Sequence, residues 1–307
     1  MDPDEIAIGI IAGLLEERTG QKLTEDRRWR IAPALAGLFR DRGISSNQDL
    51  VVLLTQPDGS SLAQEVVEAL LNNETYFFRD RQIFDHLATS VLPALAARRA
   101  HSKRLSVWCV GCSTGQEALS LAMTFADQRA RWDGWTIDVL GTDVSGSIVE
   151  FARAATYSSF QIQRGLGVGQ MLAQFTETEG GWQAKERLRR MVRYEVHNLL
   201  HPAPYPGRFD LILCRNVLLY FDAPVRERAF ARLSEALAED GKLLLGGGET
   251  VLEKGTFFRP CNERYSLYDP LPRATRTAVA SPPHKVNIGL NVSLSSAPLG
   301  MAQGGSA

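Results

Sequence analysis

The chain has 307 residues, 44% of them hydrophobic and 22% charged, with a formal net charge of -1. That length suits one large domain or two ordinary ones, and the composition is that of a globular protein. The charge balance argues against general nucleic-acid binding, the acidic start MDPDE is unlike a signal peptide, and the apolar run Ile6–Leu15 is too short to span a bilayer.

Taken in order, the first eighty residues read as helices. Asp2-Pro3 is a capping acid followed by a first-turn proline, and Ile6, Ile10, Leu14 and Leu15 recur at helical spacing before the stop at Gly20. A second helix starts after Thr24 and ends near Gly43, with Ile31, Leu35 and Leu38 on its apolar face. Ser61-Leu-Ala-Gln64 resembles a capping box ahead of Val66, Val67, Leu70 and Leu71. None of this alternates as a strand would. Residues 1–82 are expected to form a small all-helical domain, and a connecting helix over about Arg79–Arg99 leads through a basic stretch to residue 104.

The pattern then changes. Short apolar strands are expected at Leu105–Val110, Thr136–Thr142, Val192–Val196, Phe209–Cys214 and Leu243–Leu245. Helices are expected at Glu117–Ala130, Ile148–Ala155 and Pro224–Ala238, and Arg264–Tyr268 reads as a final edge strand. Such alternation over 105–270 predicts an α/β domain with a mostly parallel sheet covered on both faces. Between Tyr157 and Arg193 no convincing strand alternation is visible; the segment, with Arg164-Gly-Leu-Gly and the basic run Lys185–Arg193, reads as helical or irregular. The residues after Pro270 are rich in Ser, Pro, Gly and Ala and are expected to be disordered.

In open α/β sheets ligands bind beyond the carboxyl ends of the strands, where the polar motifs of this chain fall. After the first strand comes Gly111-Cys-Ser-Thr-Gly-Gln-Glu117. It formally contains G-x-S-x-G, a hydrolase serine turn, but no oxyanion segment precedes it. It is neither a dinucleotide G-x-G-x-x-G nor a lysine-bearing phosphate loop, which favours a nucleoside without phosphates such as S-adenosylmethionine. Glu117 is placed to meet a cationic ligand group. Asp143, 28 residues past Gly115, ends the second strand and can accept two ribose hydroxyls, or else cap the next helix. His197-Asn198-Leu199 after the third strand pairs an amide with an apolar residue, as an adenine site requires. Arg215, Asn216, Tyr220 and Phe221 follow the fourth strand, where substrate should lie, although Tyr220 and Phe221 also suit a core. Cys109 and Cys112 form one C-x-x-C with no second pair or spaced histidines, so no metal site is expected; four cysteines in all suit a reduced, cytoplasmic protein.

These strand-end motifs resemble a class I S-adenosylmethionine-dependent methyltransferase, a Rossmann-like fold. Asn73-Glu-Thr-Tyr-Phe-Phe-Arg79, followed by GCSTGQE and CRNVLLYF, is similar to the chemotaxis receptor methyltransferase (CheR) family. The resemblance covers about residues 5–270. It implies transfer of a methyl group from S-adenosylmethionine to glutamate carboxylates of methyl-accepting chemotaxis receptors, by a cytoplasmic monomer recruited to receptor arrays. It implies cofactor contacts from Asn73, Thr75, Arg79, Glu117, Asp143, Asn198, Leu199, Arg215 and Asn216, with Arg79 and Tyr220 at the reaction centre. In some members an inserted β-subdomain grips a receptor tail; without visible strands here, docking without such a tether is expected, aided by Arg27, Arg28 and Arg30. The alternatives are a methyltransferase for another protein or a small acid, a non-catalytic cofactor-binding adaptor, and the serine hydrolase.

Overall fold

The computed structural model describes residues 2–251, 256–261 and 265–273. The expected disordered tail falls outside the described residues from 274 onward. Four helices open the chain: α1 (Pro3–Thr19), α2 (Ile31–Arg42), α3 (Asn47–Leu54) and α4 (Gly59–Leu70). The start of α1 follows from its sequence: the Asp2 carboxylate accepts the Asp4 amide at 3.1 Å, Pro3 opens the first turn, and Gly20 closes the end in a left-handed conformation. Ile11, Leu15, Ile31, Leu35, Leu50, Val66 and Val67 form a core of their own beneath these helices.

Several expectations are corrected here. The second helix begins as a 3-10 turn over Glu25–Arg30 and becomes α-helical only at Ile31, where buried side chains first appear. Ser61 is not a cap, because α4 already starts at Gly59 behind Asp58. The connecting helix is three pieces, α5 (Arg81–His86), a π turn over Leu87–Val91, and α6 (Leu92–Arg98).

The remainder runs β1 (Arg104–Val110), α7 (Gln116–Asp127), β2 (Thr136–Asp143) and α8 (Gly146–Ala154), then an insert. The insert holds β3 (Thr156–Tyr157), α9 (Ser159–Gln163), α10 (Val168–Gln174), β4 (Phe175–Thr178), β5 (Gly181–Ala184) and α11 (Glu186–Arg189). After it come β6 (Val192–Val196), β7 (Phe209–Cys214), α12 (Ala223–Ala236), β8 (Leu237–Leu245), β9 (Phe258–Pro260) and β10 (Leu267–Pro270). The main sheet has the order β6-β2-β1-β7-β8-β10-β9. β6, β2, β1, β7 and β8 are parallel, whereas β10 runs antiparallel to both β8 and β9. This is the class I methyltransferase arrangement that the motifs imply. The last strand is therefore not an edge; β9, formed by the three residues Phe258–Pro260, covers it.

The insert is helical at α9, α10 and α11, as its sequence suggests, but it also holds strands that the sequence reading lacks. β3, β5 and β4 form a three-stranded antiparallel sheet. Its strands have four residues or fewer, too short to show a period, and the turn between β4 and β5 relies on Gly181 at φ 122. The ground for expecting docking without a tethering peptide disappears with that reading.

Chain order reverses at β1, whose neighbours are β2 on one side and β7 on the other, so a crevice opens at their carboxyl ends. The helical domain sits over this crevice. Glu68 on α4 accepts the amide of Gly146 at 3.0 Å and the hydroxyl of Ser147, capping α8 from another domain. Partial burial pushes the Glu68 carboxyl up, but hydrogen bonds from Ser147, Gln64 and the Gly146 and Ser147 amides outweigh it and hold the group below its ordinary value. A carboxyl depressed in the folded state stabilises fully above its unfolded pKa of about 4.3, and that contribution is lost as pH falls through the folded value. Replacing Glu68 by Gln is expected to cost roughly 1–2 kcal/mol at pH 7, the worth of a cap and its hydrogen bonds. Urea melts of both proteins should show that difference shrinking below about pH 4.

Candidate cofactor and active site

From Val110 the chain leaves β1, passes Gly111, Ser113 and Gly115 with φ of 62, 50 and 91, and enters α7 at Gln116. Gly115 is required there: a Cβ would lie 2.7 Å from the Tyr194 hydroxyl on β6. The turn is tied to β2 by Asp143, whose two carboxylate oxygens accept the amides of Ser113 at 2.9 Å and Ser145 at 3.1 Å. Ser145, not Asp143, caps α8. Burial pushes the Asp143 carboxyl up, and the amides of Ser145, Ser113 and Val144 pull against that rise. Each oxygen retains a lone pair for a further donor.

Ser113 is not set up as a nucleophile. Its hydroxyl donates to the Asn73 carbonyl at 2.8 Å. That bond draws the segment between the two domains, Asn73–Arg79, onto the turn, and the Phe78 amide donates to Ser120 on α7 at 2.9 Å. Phe77 is fully buried, edge-on to Tyr157 at 5.0 Å and Phe175 at 5.4 Å. Arg79 is half-buried; it donates to the Glu74 carbonyl at 3.2 Å and stands 5.7 Å from the Tyr76 ring centre.

Arg215, just past β7, has a side chain only 1% exposed. Its guanidinium donates to Glu117 at 2.8 Å, to Asp80 at 2.5 Å and to the Arg79 carbonyl at 3.1 Å. Burial pushes the Glu117 carboxyl up, and the Arg215 charge opposes the shift. The next residue, Asn216, has φ 61, and its amide donates to Glu249 at 2.8 Å. Tyr220 accepts a hydrogen bond on its hydroxyl from Asn72 at 2.7 Å, and its carbonyl accepts the Lys22 amide at 2.8 Å.

One cleft of about 950 Å³, mouth included, gathers these groups. Asn73, Thr75 and Arg79 line one wall, Glu117 and Asp143 the floor, and Asn198, Leu199, Arg215, Asn216 and Tyr220 the remainder. Asn198 departs from its expected use. Its amide donates to the Arg18 carbonyl at 2.9 Å and accepts the Leu200 amide at 2.9 Å, so both ends of the side chain hold the helical domain and its own loop. Beside it the buried Leu199 gives the cleft an apolar surface.

Glu249, buried after β8, was not singled out from the sequence. Its carboxylate accepts the amides of Asn216, Leu218, Leu219 and Gly246 at 2.8, 2.7, 3.3 and 2.9 Å. The signal available was Gly246-Gly-Gly-Glu249, an acid one short turn past a parallel strand, where every other such end carries a polar residue of the cleft. Cys109 and Cys112 are buried with thiols pushed well above their ordinary value, first by burial and then by neighbouring carboxylates. Among the described residues no cluster of histidine, cysteine and acid side chains could hold a metal ion.

The model of the family described as "CheR methyltransferase, SAM binding domain" matches residues 73–266. A probable chemotaxis protein methyltransferase of Rhizobium etli is 30% identical over 233 residues, 75% of this chain and 87% of that protein. Chemotaxis protein methyltransferase 1 of Pseudomonas aeruginosa is 33% identical over 241 residues, 77% of this chain and 87% of its own length. A further relative, from Pseudomonas putida, is 32% identical with the same coverage.

The cleft suits S-adenosylmethionine, the cofactor of that family. A nucleoside without phosphate groups needs a diol acceptor and an apolar surface; among the cleft-lining residues Asp143 has the chemistry for the first and Leu199 for the second. Its amino-acid tail carries both charges, and the cleft offers Glu117 beside Arg215. Two buried nitrogens of cleft-lining residues, Arg215 Nε and His197 Nε2, have no hydrogen-bond partner.

Glu249 holds Asn216 in its left-handed conformation. A Glu249→Gln side chain would aim its amide N–H groups at two of the four backbone N–H groups, since each carboxylate oxygen accepts two of them, costing on the order of 1–3 kcal/mol. We expect this variant to bind S-adenosylhomocysteine about tenfold more weakly by calorimetry, with the affinity loss exceeding any loss explained by melting.

Proposed function

Because the chain belongs to the CheR methyltransferase family, we propose that it methylates side-chain carboxylates of glutamates in chemoreceptors, yielding glutamate methyl ester and S-adenosylhomocysteine. The observation that carries this reading is the closure of Asn73–Arg79 over the cofactor turn through the Ser113–Asn73 and Arg215–Arg79 hydrogen bonds. It puts Arg79 and Tyr220, from two different domains' worth of chain, on the rim of one cleft.

When bound, S-adenosylmethionine supplies a methyl group on a cationic sulfur. A glutamate side chain is already ionised at pH 7, its pKa being about 4.3, so this chain needs no general base. One carboxylate oxygen forms the new C–O bond as the C–S bond breaks, and no proton moves. The protein's work is alignment of the two reactants and exclusion of the water that otherwise masks the carboxylate. Arg79 keeps guanidinium N–H groups beyond the one given to Glu74, and these orient the incoming carboxylate. Tyr220 accepts from Asn72, which leaves its own O–H to donate to the same group.

Receptor recognition fits the 3-10 turn Glu25–Arg30, where Arg27, Arg28 and Arg30 flank Trp29, itself 72% exposed. Such a basic, aromatic surface complements an acidic helical receptor domain. No helix among the described residues is long and apolar enough to cross a membrane. We place the protein in the cytoplasm as a monomer that joins receptor arrays by this face.

Incubation with methyl-labelled S-adenosylmethionine and a receptor cytoplasmic domain should give protein-bound label that is released by mild alkali, as a methyl ester is. Label on small acids instead, or binding without turnover, would redirect the assignment. Arg79→Ala should lower kcat/KM for the receptor by about a hundredfold, equivalent to about 2.7 kcal/mol of transition-state stabilisation; near-normal turnover with bound cofactor would remove Arg79 from the reaction centre. Reversing charge in Arg27→Glu/Arg30→Glu should raise the receptor KM at low salt and leave cofactor affinity unchanged.

A further inference from the structure

The insert does more than extend from the methyltransferase domain: it touches the cofactor segment directly. Arg164, at the end of α9, donates to the Glu74 carboxylate at 2.6 Å and lies 4.4 Å from the centre of the Tyr76 ring. Hydrogen bonding to Arg164 and its charge hold the Glu74 carboxyl below its ordinary value. At the next residue, Gly165, a Cβ would stand 1.8 Å from the Phe77 carbonyl, so the two backbones meet with no room for a side chain. Arg81, two residues beyond Arg79, donates back to the Gly165 carbonyl at 2.6 Å and stacks over Phe78 at 4.6 Å. Phe77 completes the contact by burying its ring against Tyr157 of β3 and Phe175 of β4.

The segment Asn73–Arg79 is thus held from two sides. The cofactor turn and α7 pin it near its ends, Ser113 donating to the Asn73 carbonyl and Ser120 accepting the Phe78 amide. Between those pins Arg164 supplies the ion pair and the ring contact, at Glu74 and Tyr76. Glu74 and Thr75 face the cofactor cleft. Glu74 and Thr75 thus lie on the stretch that Arg164 holds between the two pins.

We propose that Arg164 is a positioning residue for the cofactor: the insert fixes the shape of Asn73–Arg79 through it, and so sets the affinity for S-adenosylmethionine. Arg164 touches no reacting atom; it acts through Glu74 and Tyr76. Its two contacts are partly exposed, and each is of modest strength, so their joint effect is a small multiple in affinity. The proposal rests on the cofactor site and is independent of which carboxylate is methylated.

The test is calorimetric titration of S-adenosylhomocysteine into the full chain without receptor. Arg164→Ala should raise Kd roughly threefold to tenfold, the range that an exposed ion pair plus a cation–π contact supports. Arg164→Lys keeps the charge but not the planar stack and should fall between. Arg190→Ala, which breaks the exposed insert pair with Glu186, should match the parent. In turnover assays Arg164→Ala should raise the KM for S-adenosylmethionine while kcat stays within about twofold. A parental Kd in Arg164→Ala overturns the proposal, as does a fall in kcat with Kd unchanged. Since no receptor enters the titration, a wrong receptor assignment leaves its result untouched.

Discussion

The buried guanidinium of Arg215 is the constraint around which the site is arranged. A cation this far from water must be paired, and its partners must come from wherever the chain can bring them. They come from three places: Glu117 at the start of α7, Asp80 at the start of α5, and the Arg79 carbonyl between the domains. Satisfying one side chain thus locks the end of β7, the helix after the cofactor turn and the exit of the Asn73–Arg79 segment into one geometry. The opposing charge of Glu117 lies in the cleft as a consequence, available to the amino group of a ligand.

The helical domain closes the other side by similar means. The Arg18 carbonyl takes the Asn198 amide, the Lys22 amide reaches the Tyr220 carbonyl, and Glu68 caps α8 just beyond Asp143. Each bond ends on a loop that follows a parallel strand. The helices therefore do not merely sit beside the sheet; they supply hydrogen-bond partners to the strand-end loops that shape the cofactor cleft. The same domain carries the exposed Trp29 between the half-buried Arg28 and Arg30.

How much of this was legible in the sequence depends on distance along the chain. The core strands were readable because parallel strands buried on both faces are near-continuous apolar runs, as Leu211–Cys214 is within Phe209–Cys214. The cleft residues were readable as abrupt polar groups at strand ends, Asp143 after Leu140 and Arg215 after Cys214. The insert's sheet was not, because two to four residues cannot display a period. Nor was the pairing among those cleft residues: Arg215 meets Asp80 across a separation of 135 positions. Asn198 shows the same limit, since an amide at a strand end reads identically whether it faces a ligand or, as here, the carbonyl of Arg18. Glu249 was hidden by its setting, a single acid behind three glycines, with a role that appears only when four amides converge on it.

The two arginines of the site illustrate how the reaction divides its electrostatics. Methyl transfer from a sulfonium to a carboxylate joins a cation and an anion and leaves two neutral products. Charge is lost on the way to the transition state, so a site of low dielectric favours the reaction as long as the carboxylate is not held too firmly beforehand. A guanidinium already paired with two carboxylates is a weak trap for a third, and Arg215 is in that state. Arg79, half-buried, donates to one carbonyl at 3.2 Å and lies 5.7 Å from the Tyr76 ring centre, so it is held more loosely. Tight binding of the carboxylate in the ground state would raise the barrier by the part of that interaction lost in the transition state. The arrangement therefore commits its strong ion pairs to building the cleft and keeps Arg79 on its lining as the less tightly held cation.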